Sequence, residues 1–315
     1  MLTCVIGGGG FIGKHVASQL LESGRDVLVV GRRDSRPIDL HSSAKYLSFD
    51  YANRQILREV LKGCGEIVDM AYATTPQASF VNPILDISAN VPATVGLLEE
   101  SLDLSGLRRI LVVSSGGTVY GETHDLPIRE TAPTRPVSPY GITKLAIERY
   151  ACMYHQVRGL PVVIVRPANA YGLGQKPFTG QGFIATAMGC IAKRQAITVF
   201  GESGTIRDYV HVVDVASGIV DALTAGNDGD TYNIGSGVGL SNIQIIEAIS
   251  PLAQVDGYEV KTSIEPMRKF DVSANILDSS LLWNQTGWTP KVSLANGLFE
   301  MWRDIRMSFD FTRGL

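Results

Sequence analysis

The sequence predicts an α/β fold: a doubly wound parallel sheet, with a smaller α+β region contributed by the C-terminal part. Three observations predict it. Short β-rich runs alternate with longer helical patterns through the first half of the chain, the order that builds β-α-β units. Several of these runs are apolar without a break, as strands covered on both faces are. A string of glycines joins the first run to the first helical stretch.

Taken in order, the strand candidates are Leu2-Thr3-Cys4-Val5-Ile6, Val27-Leu28-Val29-Val30, a third strand before Asp50, Glu66-Ile67-Val68-Asp69-Met70, Ile110-Leu111-Val112-Val113 and Val162-Val163-Ile164-Val165. Helical patterns fall at residues 11–23, 53–62, 81–102 and 139–158. Beyond Pro167 the pattern changes, and 169–182 is rich in Gly, Pro and Gln, as a loop leaving the sheet domain would be. The expected division is therefore 1–168 for the sheet domain, rejoined by about 205–235, and 169–315 mainly for the smaller region.

Composition narrows the function. The 315 residues are 45% apolar and 19% charged, with a formal net charge of -3, which excludes a disordered chain. With 28 Lys+Arg against 31 Asp+Glu there is no basic excess for nucleic acid. No apolar run approaches the roughly 20 residues of a spanning helix. The N-terminus reads as a strand rather than an export signal. Cys4, Cys64, Cys152 and Cys190 are scattered without CxxC spacing, so neither disulfides nor a metal site is expected and a reducing cytoplasm fits.

Gly7-Gly8-Gly9-Gly10-Phe11-Ile12-Gly13 lies between the first strand and the first helix. Glycines there let the backbone approach a pyrophosphate whose charge sits at the helix N-terminus. Where an acid would hold the adenosine ribose of NAD, the second strand ends in Gly31-Arg32-Arg33. Guanidinium groups suit the 2′-phosphate of NADP; alternatively both arginines are solvated and Asp34 or the backbone holds the ribose. Asp50 is a candidate for the adenine amine or an ordinary exposed acid. Tyr140 and Lys144 are four apart at the start of a helix, on one face. A Lys beside a Tyr favours phenolate, which makes Tyr140 a general acid/base for a sugar or alcohol hydroxyl.

With Ser114-Ser115-Gly116-Gly117-Thr118-Val119-Tyr120-Gly121, Asn90-Val91-Pro92-Ala93-Thr94, Arg166-Pro167-Ala168-Asn169-Ala170-Tyr171-Gly172, Arg207-Asp208-Tyr209-Val210-His211-Val212, Tyr232-Asn233-Ile234-Gly235 and Arg268-Lys269-Phe270-Asp271, the chain resembles the extended short-chain dehydrogenase/reductases. Within them it is most similar to the NAD-dependent nucleotide-sugar epimerase/dehydratase group, the UDP-galactose 4-epimerase-like proteins, whose sheet domain is a Rossmann fold. The resemblance implies Tyr140 as acid/base and Lys144 on the nicotinamide ribose, depressing the Tyr140 pKa. It also implies cofactor contacts from Gly7, Gly10, Phe11, Ile12, Gly13, Asp50, Tyr51, Ala71, Asn90 and Ser114. Asn169, Arg207 and Arg268 would hold the sugar or diphosphate, bidentate work that suits guanidinium groups. For Arg207 the alternative is a salt bridge with an acid such as Asp208.

One departure matters. The catalytic Ser/Thr of the family falls on Gly116. Read as a strand end, the segment puts Thr118 on the side of Gly116 and turns Ser115 away, so Thr118 is the expected substitute and Ser115 the second choice. The acidic triplet of the 4,6-dehydratases has no counterpart in Gly116-Gly117-Thr118, and Cys152, His155 and His124 match no motif of the epimerase/reductases. The resemblance further implies that helices 81–102 and 139–158 pair about a two-fold axis in a homodimer. Trp283, Trp288 and Trp302 are expected to anchor the C-terminal region. The leading reading is a nucleotide-sugar 4-epimerase working through a 4-keto intermediate with bound NAD. Its rivals are an NADPH-dependent 4-keto-sugar reductase and a catalytically silent cofactor sensor. Polysaccharide and Leloir-type pathways are both compatible.

Overall fold

The structure, a computed structural model, describes residues 1–268 and 271–313; Lys269 and Phe270 of the Arg268–Asp271 motif lie outside them. The larger lobe holds β1 (Leu2–Ile6), α1 (Phe11–Glu22), β2 (Asp26–Gly31), β3 (Lys45–Ser48), α2 (Arg54–Leu61), β4 (Glu66–Asp69), α3 (Pro76–Val81) and α4 (Pro83–Ser101). It continues through β5 (Arg109–Val113), α5 (Gly116–Val119), α6 (Pro139–Arg158) and β6 (Val162–Pro167). The chain then builds β7 (Asn169–Tyr171), α7 (Phe183–Ala192), β8 (Ile197–Phe200) and β9 (Ile206–His211). It returns through α8 (Val212–Ala225) and β10 (Thr231–Ile234), and ends in β11 (Gly239–Ser241), α9 (Asn242–Val255), β12 (Thr262–Glu265), β13 (Ala274–Asn275), α10 (Ser280–Thr286) and α11 (Leu294–Arg313).

Seven strands in the order β10-β6-β5-β4-β1-β2-β3 form the main sheet, and every pairing in it is parallel. The order reverses between β1 and β4, the crevice where open α/β sheets bind ligands. Alternation along each strand divides its side chains between two cores. Val5, Leu111, Val113, Val163 and Val165 pack on the face covered by α1 and α8. Cys4, Ile6, Ile110, Val112, Val162 and Ile164 pack on the face covered by α2, α4 and α6. A third core under α7, α9 and α11 builds the smaller lobe, where β9 pairs with β7, β11 and β13.

Several expectations are corrected. The helix expected over 81–102 is broken at Asn82, whose φ of -140° and ψ of 82° leave the helical region before Pro83. The ring of a proline disfavours the helical conformation at the preceding residue, and the Asn82 side chain accepts from the Leu85 N–H to start α4 afresh. Helix α6 runs over the expected Pro139–Arg158. The segment after Ser115 is a helical turn, α5, rather than a strand end. The stretch from 169 begins with the short strand β7 rather than open loop. Trp288 and Trp302 are buried as anchors would be, but Trp283 stands 55% exposed. Among the described residues, no helix is long and apolar enough to cross a membrane.

Candidate active site

The residues expected to be catalytic, cofactor-binding or substrate-binding all line one cavity of about 1370 Å³, whereas Asp34, the alternative for the ribose, does not. The cavity runs from the glycine loop and Arg32/Arg33, past Tyr140 and Lys144, to Arg207 and Arg268 on the smaller lobe.

The glycine loop is shaped by what a side chain would strike. Gly7 adopts φ +81° and donates its N–H to Val30 O at 2.8 Å. A Cβ on Gly13 would fall 2.5 Å from Gly8 Cα and 2.7 Å from Gly7 O. The loop therefore folds tightly onto itself and delivers the N-terminus of α1 to the cavity. That terminus carries no side-chain cap and no acid in its first turn, so its N–H groups and partial positive charge are left for an anion. The cradle fits the pyrophosphate of a dinucleotide. Arg32, Arg33 and Asp50 line the same end, and Asp50 Oδ1 accepts from Ala52 N at 3.1 Å. Asn90 braces the wall: its Oδ1 accepts from Ala73 N and its Nδ2 donates to Asp86 O, both at 2.7 Å. Tyr51, Ala71 and Ser114 line the cavity beside it, and the buried Ser114 Oγ has no protein partner.

Tyr140 and Lys144 lie one turn apart on α6. Ser138 caps the helix by accepting from Gly141 N, with Pro139 in the first turn, an arrangement that fixes where the helix starts. Lys144 is 5% exposed and donates to Val113 O at 2.9 Å. Burial pulls its ammonium down to about 8, opposed by the charges of Asp69, Glu148 and Asp86. Tyr140 does not show the depression expected from Lys144. Burial raises its pKa, and the Asp86 carboxylate raises it further, because a phenolate loses its hydration there.

The tyrosine that sits closest to Lys144 is one the sequence did not single out. Tyr72 presents its ring 4.2 Å from Lys144 Nζ, whereas the Tyr140 ring centroid is 5.9 Å away. Asp69 and Asp86, both buried, were missed as well. The available signal was an acid at the end of a buried apolar strand and a Tyr following Ala71.

The turn after β5 answers the question posed by Gly116. A Cβ there would lie 2.4 Å from Leu277 Cδ1 and 2.8 Å from Arg166 O, so this position faces the protein floor. Ser115, expected to point away, lines the cavity together with Thr118. The strand alternation fails because helix α5 begins at once, and the Ser115 hydroxyl makes no capping hydrogen bond. Thr118 Oγ1 donates to Ser115 O at 3.5 Å.

On the smaller lobe, Asn169 Nδ2 donates to Asp208 O at 3.2 Å. Arg207 is not salt-bridged to Asp208. That carboxylate accepts from the backbone N–H groups of Ser236, Gly237 and Leu277. Arg207 Nη1 donates to Ile206 O at 2.8 Å. Burial lowers the Arg207 pKa, opposed by Tyr209 and the charges of Asp271 and Glu122. Arg268 is held differently, bidentate to Asp271 at 2.8 and 2.9 Å with its Cζ 4.3 Å from the Phe200 ring centroid.

The parallel sheet, its crevice and the uncapped helix terminus that opens on the cavity together define a dinucleotide-binding α/β enzyme. The chain belongs to the NAD dependent epimerase/dehydratase family, which it matches over residues 3–235. It is 32% identical over 305 residues to the UDP-glucose 4-epimerase of Mycolicibacterium smegmatis, covering 95% of this chain and 96% of that protein. The crystal structure of Thermotoga maritima UDP-glucose 4-epimerase with UDP-glucose superposes with a TM-score of 0.91 at 31% identity, covering 98% and 99% of the two chains. The Thermus thermophilus UDP-glucose 4-epimerase in complex with NAD gives a TM-score of 0.88 at 29% identity, with 97% and 99% covered.

Proposed function

We propose that the chain is a nucleotide-sugar 4-epimerase for a UDP-hexose or UDP-N-acetylhexosamine, with NAD in the cleft and Tyr140 and Lys144 as its acid–base pair. The observation that carries the reading is the single cavity joining the uncapped α1 terminus, the Tyr140–Lys144 pair and Arg207. The N–H groups at the start of α1 hold the pyrophosphate, and Lys144 the nicotinamide ribose. NAD held there would supply a hydride acceptor and donor for C4 of the sugar, with no net redox change.

The protein's own residues do the rest. Tyr140 Oη accepts the proton of the 4-hydroxyl and later gives it back. Ser115 or Thr118 donates a hydrogen bond to the reacting oxygen. Arg207 neutralises the diphosphate and Arg268 supports it from its pair with Asp271, while the sugar turns between the two half-reactions. Burial favours the neutral phenol, so removing the hydroxyl proton requires additional positive charge beside Tyr140, which Lys144 and an oxidised nicotinamide supply. The reading includes a cytoplasmic enzyme feeding polysaccharide assembly. It also includes a homodimer made through α4 and α6, which expose Ile84, Ile87, Ile142 and Val157.

One observation favours the NADPH-dependent 4-keto-sugar reductase: Arg32 and Arg33 both line the cavity at the end of β2. A single experiment separates the readings. Protein without added cofactor is mixed with UDP-glucose, UDP-galactose or their N-acetyl forms, and proton NMR follows the anomeric region. A 4-epimer is the expected product, and Tyr140→Phe is expected to retain cofactor and lose turnover. NADPH oxidation only when a 4-keto sugar is supplied, with no epimer, would establish the reductase instead.

A further inference from the structure

We propose that Tyr72, anchored on the buried carboxylate of Asp86, is a positioning residue that holds and electrostatically tunes the Tyr140–Lys144 pair. This rests on the reading of that pair as the acid–base machinery. Four contacts point to it. The Tyr72 hydroxyl donates to Asp86, 3.2 Å from each carboxylate oxygen. Thr74 Oγ1 donates to the same carboxylate, and Asp86 has no solvent exposure. The Tyr72 and Tyr140 rings pack with centroids 4.7 Å apart and planes tilted by 60°. Lys144 Nζ sits over the Tyr72 ring face, where the quadrupole of an aromatic ring attracts a cation.

A ring that only filled space would not need a buried charge behind its hydroxyl. A carboxylate removed from water is costly unless donors surround it, and here both side-chain donors come from the segment just after β4. The arrangement fixes the Tyr72 ring at one end through Asp86 and leaves its face to the two reactive groups.

The charges around the pair come from three directions. Asp86 belongs to α4, Asp69 ends β4, and Glu148 follows Lys144 on α6. Glu148 is matched by Arg166 of β6 at 2.7 Å, and Asp69 accepts from Thr94 Oγ1 at 3.2 Å. Asp86 is the acid that acts on both members: it raises Tyr140 and raises Lys144. The Tyr72 and Thr74 donors moderate its field. Removing the charge and removing the donor therefore have opposite consequences for the Tyr140 phenol.

The test uses NAD-loaded protein and titrates Tyr140 by ultraviolet difference absorbance, wild type minus Tyr140→Phe, repeated in Asp86→Asn and in Tyr72→Phe backgrounds. Asp86→Asn keeps shape and an acceptor for Tyr72 but deletes the charge, and moves the Tyr140 midpoint to lower pH, by about one unit for a single neighbouring charge. Tyr72→Phe leaves the carboxylate with one side-chain donor fewer and moves the midpoint to higher pH. With UDP-galactose as probe, the ascending limb of kcat/KM follows the same two directions. Midpoints that stay put, or move together, overturn the proposal even where Tyr140→Phe is inactive. An active Tyr140→Phe overturns the acid–base reading itself, and the proposal with it.

Discussion

Replacing Glu148 by Gln isolates one buried charge on the helix that carries the acid–base pair. Glu148 and Arg166 have side chains only 3% and 7% exposed. They meet in two parallel hydrogen bonds of 2.7 and 2.9 Å, while a third guanidinium nitrogen donates to the Tyr120 hydroxyl at 2.9 Å. Gln preserves the volume but removes the charge and sets amide hydrogens against guanidinium hydrogens. Losing one partner of such a pair costs about 3–5 kcal/mol, since the remaining charge stays buried without compensation. With an unfolding entropy of about 2.1 cal/mol/K per residue, a chain of this length loses about 5–8 °C of Tm. Differential scanning calorimetry of the NAD-loaded protein at neutral pH reads the shift directly. A second variant separates charge from packing: Glu148→Leu with Arg166→Met removes both charges, leaves Tyr120 bonded to Asn233 Oδ1, and is expected to melt above Glu148→Gln. A Tm within about 1 °C of wild type for Glu148→Gln would refute this, because it would show that the pair's charges contribute little.

Three further variants test the cofactor end and the buried acid at the end of β4. Gly13→Ala places a Cβ against the Gly8 and Gly7 backbone, which cannot yield as a flexible side chain would. We expect a loss of about 1–3 kcal/mol together with NAD retention, whereas Gly10→Ala, which meets only Gly7 O at 3.2 Å, weakens NAD retention alone. Chemical denaturation and the cofactor content of purified protein separate the two. Asp69 is held by burial at about 6 in the folded chain, above its ordinary value. The fold therefore binds a proton that the unfolded chain has already released, and stability falls as pH rises from about 4 to about 6. In Asp69→Asn that fall disappears, so urea midpoints at acid and neutral pH show the variant gaining on wild type across this window, by up to ~3 kcal/mol. A gap that is constant with pH would contradict it.

The sequence by itself determined the features whose cause is local. Continuous apolar runs become the inner strands because both faces of each are covered, and the division of Val5 from Cys4 and Ile6 follows from a period of two. The 139–158 helix begins and ends where read because Ser138, Pro139 and the left-handed Gly159 mark its ends in the chain itself. The glycine loop is legible for the same reason: its constraint is between residues six apart.

Tertiary structure decided what depends on distant partners. Ser115 faces the cavity because Gly116 is pressed on Leu277, a residue far along the chain. Arg207 is left without its neighbour's charge because Asp208 is taken by the backbone of 236, 237 and 277. Tyr72 reaches Lys144, and Asp86 reaches Tyr72, only once β4, α4 and α6 pack together. Periodicity records which face of an element is buried, but not which buried side chain meets which. The protonation of the site is set by those meetings, since the field on a buried group comes from the charges and dipoles the fold brings beside it.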